Sequence, residues 1–200
     1  MSAFLGPIHY WMYDKIRMQE ELVRRFAIQA ETSGWLVSAR DFVNDENCPL
    51  EEIIDEANIH GWLSGRIESV ERRYAELTVK ILAGHEERLD ELQAVAYALG
   101  EEQAVTSDST ASQCYKRIED CTLNGMPCDG VNIVTDNCED HFSWEQRFDV
   151  HGAYWKETGG RAEDYYLLRN QLIAGILSQT PFMLTIPQPY EYSLCIADKC

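Results

Sequence analysis

Residues 49–83 read PLEEIIDEANIHGWLSGRIESVERRYAELTVKILA, and the reading of this stretch decides the fold. No proline interrupts residues 50–83. Ile53, Ala57, His60, Ser64, Ile67, Val70, Tyr74, Leu77 and Ile81 recur at steps of three and four, the period of one helix face. Pro49 suits a first helical position, and Glu51 and Glu52 put negative charge on the first turn, where the helix dipole favours it. One uninterrupted helix is expected, roughly 50 Å long at 1.5 Å per residue. It would be the spine of a bundle. His60 interrupts its apolar face, and Glu56 stands one turn earlier.

Working outward, a helix is expected from Pro7 to about Thr32. His9, Met12, Ile16, Val23, Phe26, Ala27 and Ala30 fall near one face, with Glu20 in the same stripe. Residues 34–48 hold a short apolar piece, Trp35 to Val43, and a polar connector, Asn44 to Asn47. Past the spine, Gly84 reads as a kink or a tight turn before the stripe His85, Leu89, Leu92, Ala96 and Leu99. A glycine costs only about 1 kcal/mol inside a helix, so one bent helix and two antiparallel ones both stay open. Capping residues Thr106 to Ser109 announce a short helix with Ala111, Cys114, Tyr115, Ile118 and Cys121 on its apolar side.

Residues 123–137 are a turn-rich insertion, in which Val131 to Val134 is extended with too few partners for a sheet. A helix over about Cys138 to Glu157 carries His141, Trp144, Phe148, His151 and Trp155, with Glu145 one turn after His141. The last helix runs from Ala162 to Ser178 and turns Tyr165, Leu168, Leu172 and Ile176 inward. Pro181, Pro187 and Pro189 make 180–200 an extended tail. The expected fold is all-α: one domain over 1–200, a bundle of about six helices, four of them long, with a C-terminal arm. The arm's Ile186, Tyr190, Tyr192, Leu194 and Ile196 are too apolar for a free tail. It should pack on the bundle or join a second copy as a homodimer.

The formal net charge of −17 should repel phosphate backbones and anionic membrane surfaces, which argues against nucleic acid or membrane partners. No run approaches 18 apolar residues, and the first residues lack a basic and apolar leader, so a cytoplasmic protein is expected. There the seven cysteines would be thiols. Cys114 and Cys121 should be buried, and Cys128, Cys195 and Cys200 exposed.

The candidate chemistry is a metal constellation. Glu56 and His60 are four apart on the spine, as are His141 and Glu145, and His9 or Glu20 would join from the first helix. Residues four apart share a helix face, and imidazole with carboxylate suits Fe, Mn or Zn. His9 and Glu20 lie about 16 Å apart along their helix and cannot serve one ion together. The spacing resembles, in two short places, the carboxylate–histidine bundles of ferritin-like and hemerythrin-like proteins. The chain lacks the Glu-x-x-His of the first and the His-x-x-x-His of the second, so no family follows.

Tyr10, Trp11, Tyr13, Trp62, Trp144 and Trp155, close to these histidines, would wall either a small-molecule pocket or an ordinary core. No Walker A loop, Gly-x-Gly-x-x-Gly, Gly-x-Ser-x-Gly, His-Glu-x-x-His or Cys-x-x-Cys is present. The functional expectation is a His/Glu site in a bundle core for a transition metal or small ligand, open to metal-dependent catalysis. A non-catalytic interaction protein and a cysteine-based redox or metal-handling protein are the alternatives.

Overall fold

A computed structural model describes residues 4–196. The helices are α1 (Pro7–Thr32), α2 (Leu50–Ile53), α3 (Ile59–Leu82), α4 (Arg88–Glu101), α5 (Ala111–Cys121), α6 (Gly152–Glu157) and α7 (Ala162–Leu177). The strands are β1 (Asn132–Asn137), β2 (His141–Gln146), β3 (Phe182–Gln188) and β4 (Glu191–Ile196).

The spine is α3, and it begins at Ile59 rather than at Pro49. Asp55 Oδ1 accepts the Ala57 N–H (3.0 Å), and Asn58 Oδ1 accepts the Gly61 N–H (3.2 Å). Short polar side chains of this kind offer the backbone a partner outside the helix and so start a new one. Just before them Ile54 is extended, with ψ 142, and α2 stays a single turn. The α3 helix has 24 residues, about 36 Å. At its far end Gly84 adopts φ 72, a left-handed conformation that costs glycine least, and α4 starts as a separate helix.

Helix α4 packs along α7, and two glycines set their distance. A Cβ on Gly100 would lie 2.1 Å from the Leu172 carbonyl oxygen, and one on Gly175 would lie 2.2 Å from that of Tyr97. Backbones can meet this closely only where both side chains are missing. The core then gathers α1, α3, α4, α5 and α7 around Phe26, Tyr74, Leu77, Leu92, Leu99 and Ile176, all at most 1 % exposed.

The all-α expectation is overturned. Helix takes 57 % of the chain, but a four-stranded antiparallel sheet takes 13 %, so the fold is mixed α/β. The strand order is β1-β2-β4-β3. No helix spans 138–157. Residues 141–146 alternate along β2, with Phe142, Trp144 and Gln146 buried and His141, Ser143 and Glu145 on the other face. Phe142 stacks on Tyr115 of α5 at 4.3 Å, which fixes the sheet to the helices.

The segment from Val131, read as too isolated for a sheet, is the edge strand β1, paired with β2. The tail supplies β3 and β4, and β4 inserts between β2 and β3. The hairpin joining them turns at Tyr190, whose φ is 68. No helix among the described residues is long and apolar enough to cross a membrane.

Candidate functional site

The six sequence candidates go to four places. His9 is buried on α1, accepts the Gly6 N–H at Nδ1 (2.9 Å), and leaves Nε2 without a partner. Its ring meets that of His60 at 5.7 Å, the one approach within the set. Glu20 is bound by Arg73, which also donates to the Phe42 carbonyl (2.9 Å). Glu56 is exposed on a 3-10 turn outside α3, so the one-turn relation to His60 is lost. His60 sits half-buried in the first turn of α3, and the neighbours that placed it inward, Ile53 and Ala57, are not on that helix. His141 and Glu145 lie on the outer face of β2.

Among the described residues no group of three His, Cys, Asp or Glu side chains is placed to hold a metal ion, so metal binding as read from the sequence has no assembled site. Cys48, Cys114, Cys121, Cys128 and Cys138 are free thiols. Cys195 is disulfide-bonded and 6 % exposed, against the expectation of an exposed thiol; Cys200 lies outside the described residues.

His141 instead joins a hydrogen-bonded row across the sheet. A bulge between Val134 and Asp136 brings Asp136 opposite Ser143. Its Oδ2 lies 2.9 Å from His141 Nδ1, and His141 Nε2 lies 2.7 Å from Ser193 Oγ. Ser143 donates to Ser193 Oγ at 3.0 Å. The order Ser–His–Asp is that of a hydrolytic triad. The His141 hydrogen bond holds the Asp136 carboxyl below the usual carboxylate range. Two facts oppose catalysis. Ser193 is 7 % exposed, so a substrate carbonyl has no approach to its Oγ. The donors of an oxyanion hole must also point at open space, and here the nucleophile lies within paired strands. The row is a polar brace of the sheet.

A second polar cluster lies where α3 meets α1 and α6. Glu71 falls one residue after Val70 on the buried face of α3 and is 1 % exposed. Its Oε1 accepts from Gln19 Nε2 (2.8 Å) and faces His151 Nδ1 (3.1 Å). His151, also 1 % exposed, stacks on Tyr165 at 3.8 Å, with Nε2 3.4 Å from Asn124 Oδ1.

The imidazole is placed by Asp149, whose Oδ1 accepts the N–H groups of His151 (2.8 Å) and Gly152 (3.0 Å) and the Tyr166 hydroxyl (2.8 Å). Burial works against ionisation of Asp149, but these donors outweigh it and hold its carboxyl below the usual range. Burial pushes the Tyr165 and Tyr74 phenols well up, and the Glu71 carboxylate adds to this, so both rings serve as neutral walls.

The dyad forms the inner wall of a groove of about 320 Å³. Ile67, Met126, Phe148, Val150 and Tyr154 give it apolar sides, and Glu71, Asp129 and Asp149 give it carboxylates, with no lysine or arginine in the lining. Glu71 Oε2 is buried without a hydrogen-bond partner. A larger groove of about 420 Å³ beside α1 consumes its own charges, because Glu21 binds Arg24 (2.7 Å) and Glu46 binds Arg66.

No family model, curated protein or solved structure matches this chain. Function therefore rests on the geometry.

The sequence reading missed Glu71 altogether. The signal was a carboxylate at the helical step from Ile67 to Tyr74, inside an apolar stripe. His151, expected within a helix over 138–157, instead stands at the N-terminus of the six-residue α6.

Proposed function

We propose that the chain binds a small organic cation in the groove walled by Glu71 and His151. This is a His/Glu small-ligand site of the kind expected from the sequence, built from different residues. The observation that carries it is the unpartnered Glu71 Oε2. A buried polar atom left without a partner costs about 1–3 kcal/mol, and an ammonium or guanidinium N–H is the donor that recovers this best at a carboxylate. Asp129 and Asp149 add negative potential, and Phe148 adds an aromatic ring of the kind that attracts cations; the Tyr154 ring already carries the Arg72 guanidinium at 5.6 Å. The net charge of −17 draws such a ligand in and raises its association rate.

Thermal-shift titration of the full chain with n-butylammonium, benzylammonium and agmatine tests this, with acetate and benzoate as anionic controls. The cations should raise the melting temperature, the anions should not, and Glu71→Gln should lose the response. Equal responses in wild type and Glu71→Gln would refute the site.

A further inference from the structure

A second cavity, of about 170 Å³, lies between α1, α5 and the loop that leads into β1. Lys15 of α1 is on its wall and is 3 % exposed. Lysine is almost never buried so fully unless paired. Here the ammonium lies 4.2 Å over the Trp11 ring and has no hydrogen bond or ion pair among the described residues. The carboxylates within reach are committed elsewhere. Asp120 accepts from Trp11 Nε1 (2.8 Å) and from Lys116 Nζ (2.8 Å), and Glu119 accepts from Asn132 Nδ2 (2.8 Å). Asn132, on the same wall, leaves its buried Oδ1 without a partner. The pocket thus presents an amine and an acceptor among Trp11, Tyr115 and Met126.

We infer that Lys15 is the amine of a carbonyl-binding pocket, which takes a small aldehyde or ketone with an apolar body as a Schiff base. The Nζ lone pair attacks the carbonyl carbon, a C–N bond forms, and the C=O π pair moves to oxygen. Proton transfer and loss of that oxygen as water leave C=N. A hydrogen-bond donor on the ligand would meet Asn132 Oδ1. Burial also pushes the Lys15 pKa down, against the opposing charges of Glu119 and Asp120, and so enlarges the share of neutral, nucleophilic amine. Lys15 does not line the groove of Glu71, so this reading and the cation site fail separately.

Reductive trapping tests it. The full chain is treated at pH 7 with benzaldehyde or propanal and cyanoborohydride, and adducts are located by peptide mapping. The Lys15 peptide should be modified several-fold faster than those of the exposed Lys80, Lys116 and Lys156, because burial enlarges its neutral, nucleophilic fraction. Lys15→Met, checked for native circular dichroism, should lose the fast phase and keep the slow one. Wild-type labelling that follows surface exposure, with Lys15 last, would overturn the inference without recourse to any variant.

Discussion

At the scale of single residues, the strongest determinants are buried polar groups and the partners they hold. Glu71→Ala would strand His151 and the Gln19 amide inside the core, and breaking a buried pair in this way should cost about 3 kcal/mol or more in a urea titration. Glu71→Gln keeps both hydrogen bonds within reach and should cost less.

Lys15 gives a signed pH effect. Its folded pKa is lowered, so between that value and the unfolded pKa of about 10.4 the unfolded chain binds more protons, and stability rises with pH. The buried thiols oppose this. Burial pushes Cys114 to about 11 and Cys121 upward, and each loses stability as the unfolded thiol ionises first. The difference between wild type and Lys15→Met from pH 7 to 10 isolates the lysine, and that difference should shrink as pH rises. A constant difference would place a normal amine at Lys15.

Thiol labelling should reach exposed Cys128 first and leave Cys114 and Cys121 for the unfolded chain. A fluorophosphonate should leave Ser193 unlabelled in the native protein, because its hydroxyl is enclosed. Rapid labelling there would revive the triad as chemistry.

At the scale of elements, the helices that carry their own signals were legible and the sheet was not. Pro7 to Thr32 and the Tyr165, Leu168, Leu172, Ile176 stripe stand as read, because apolar residues at three- and four-residue steps over several turns declare a helix locally. Asp55 and Asn58 could have been recognised as restart caps within the spine, but the apolar period ran past them. The stretch from His141 failed for a different reason. Its aromatic residues satisfy three- and four-residue steps, while Phe142, Trp144 and Gln146 satisfy steps of two over only six residues. The partner that decides between them, β4, lies about 50 residues downstream, and no local pattern shows it. Gly100 lies inside α4, where it serves the contact with α7. Gly175→Ala should therefore destabilise by about 1–3 kcal/mol through backbone overlap with Tyr97, where an exposed glycine such as Gly65 should tolerate alanine. If both substitutions behave alike in thermal melts, the close α4–α7 approach is wrong.

At the scale of the whole molecule, an acidic surface surrounds a groove that has carboxylates and no basic lining. The charge alone would attract any cation weakly and everywhere; the groove demands one place. Amide chemical-shift mapping with agmatine in 150 mM salt separates these. The account predicts saturable shifts clustered at Ser64, Ile67, Met126, Val150 and Tyr154, which Glu71→Gln abolishes. Shifts scattered over exposed carboxylates such as Glu51, Glu86 and Glu101, unchanged by that substitution, would contradict it.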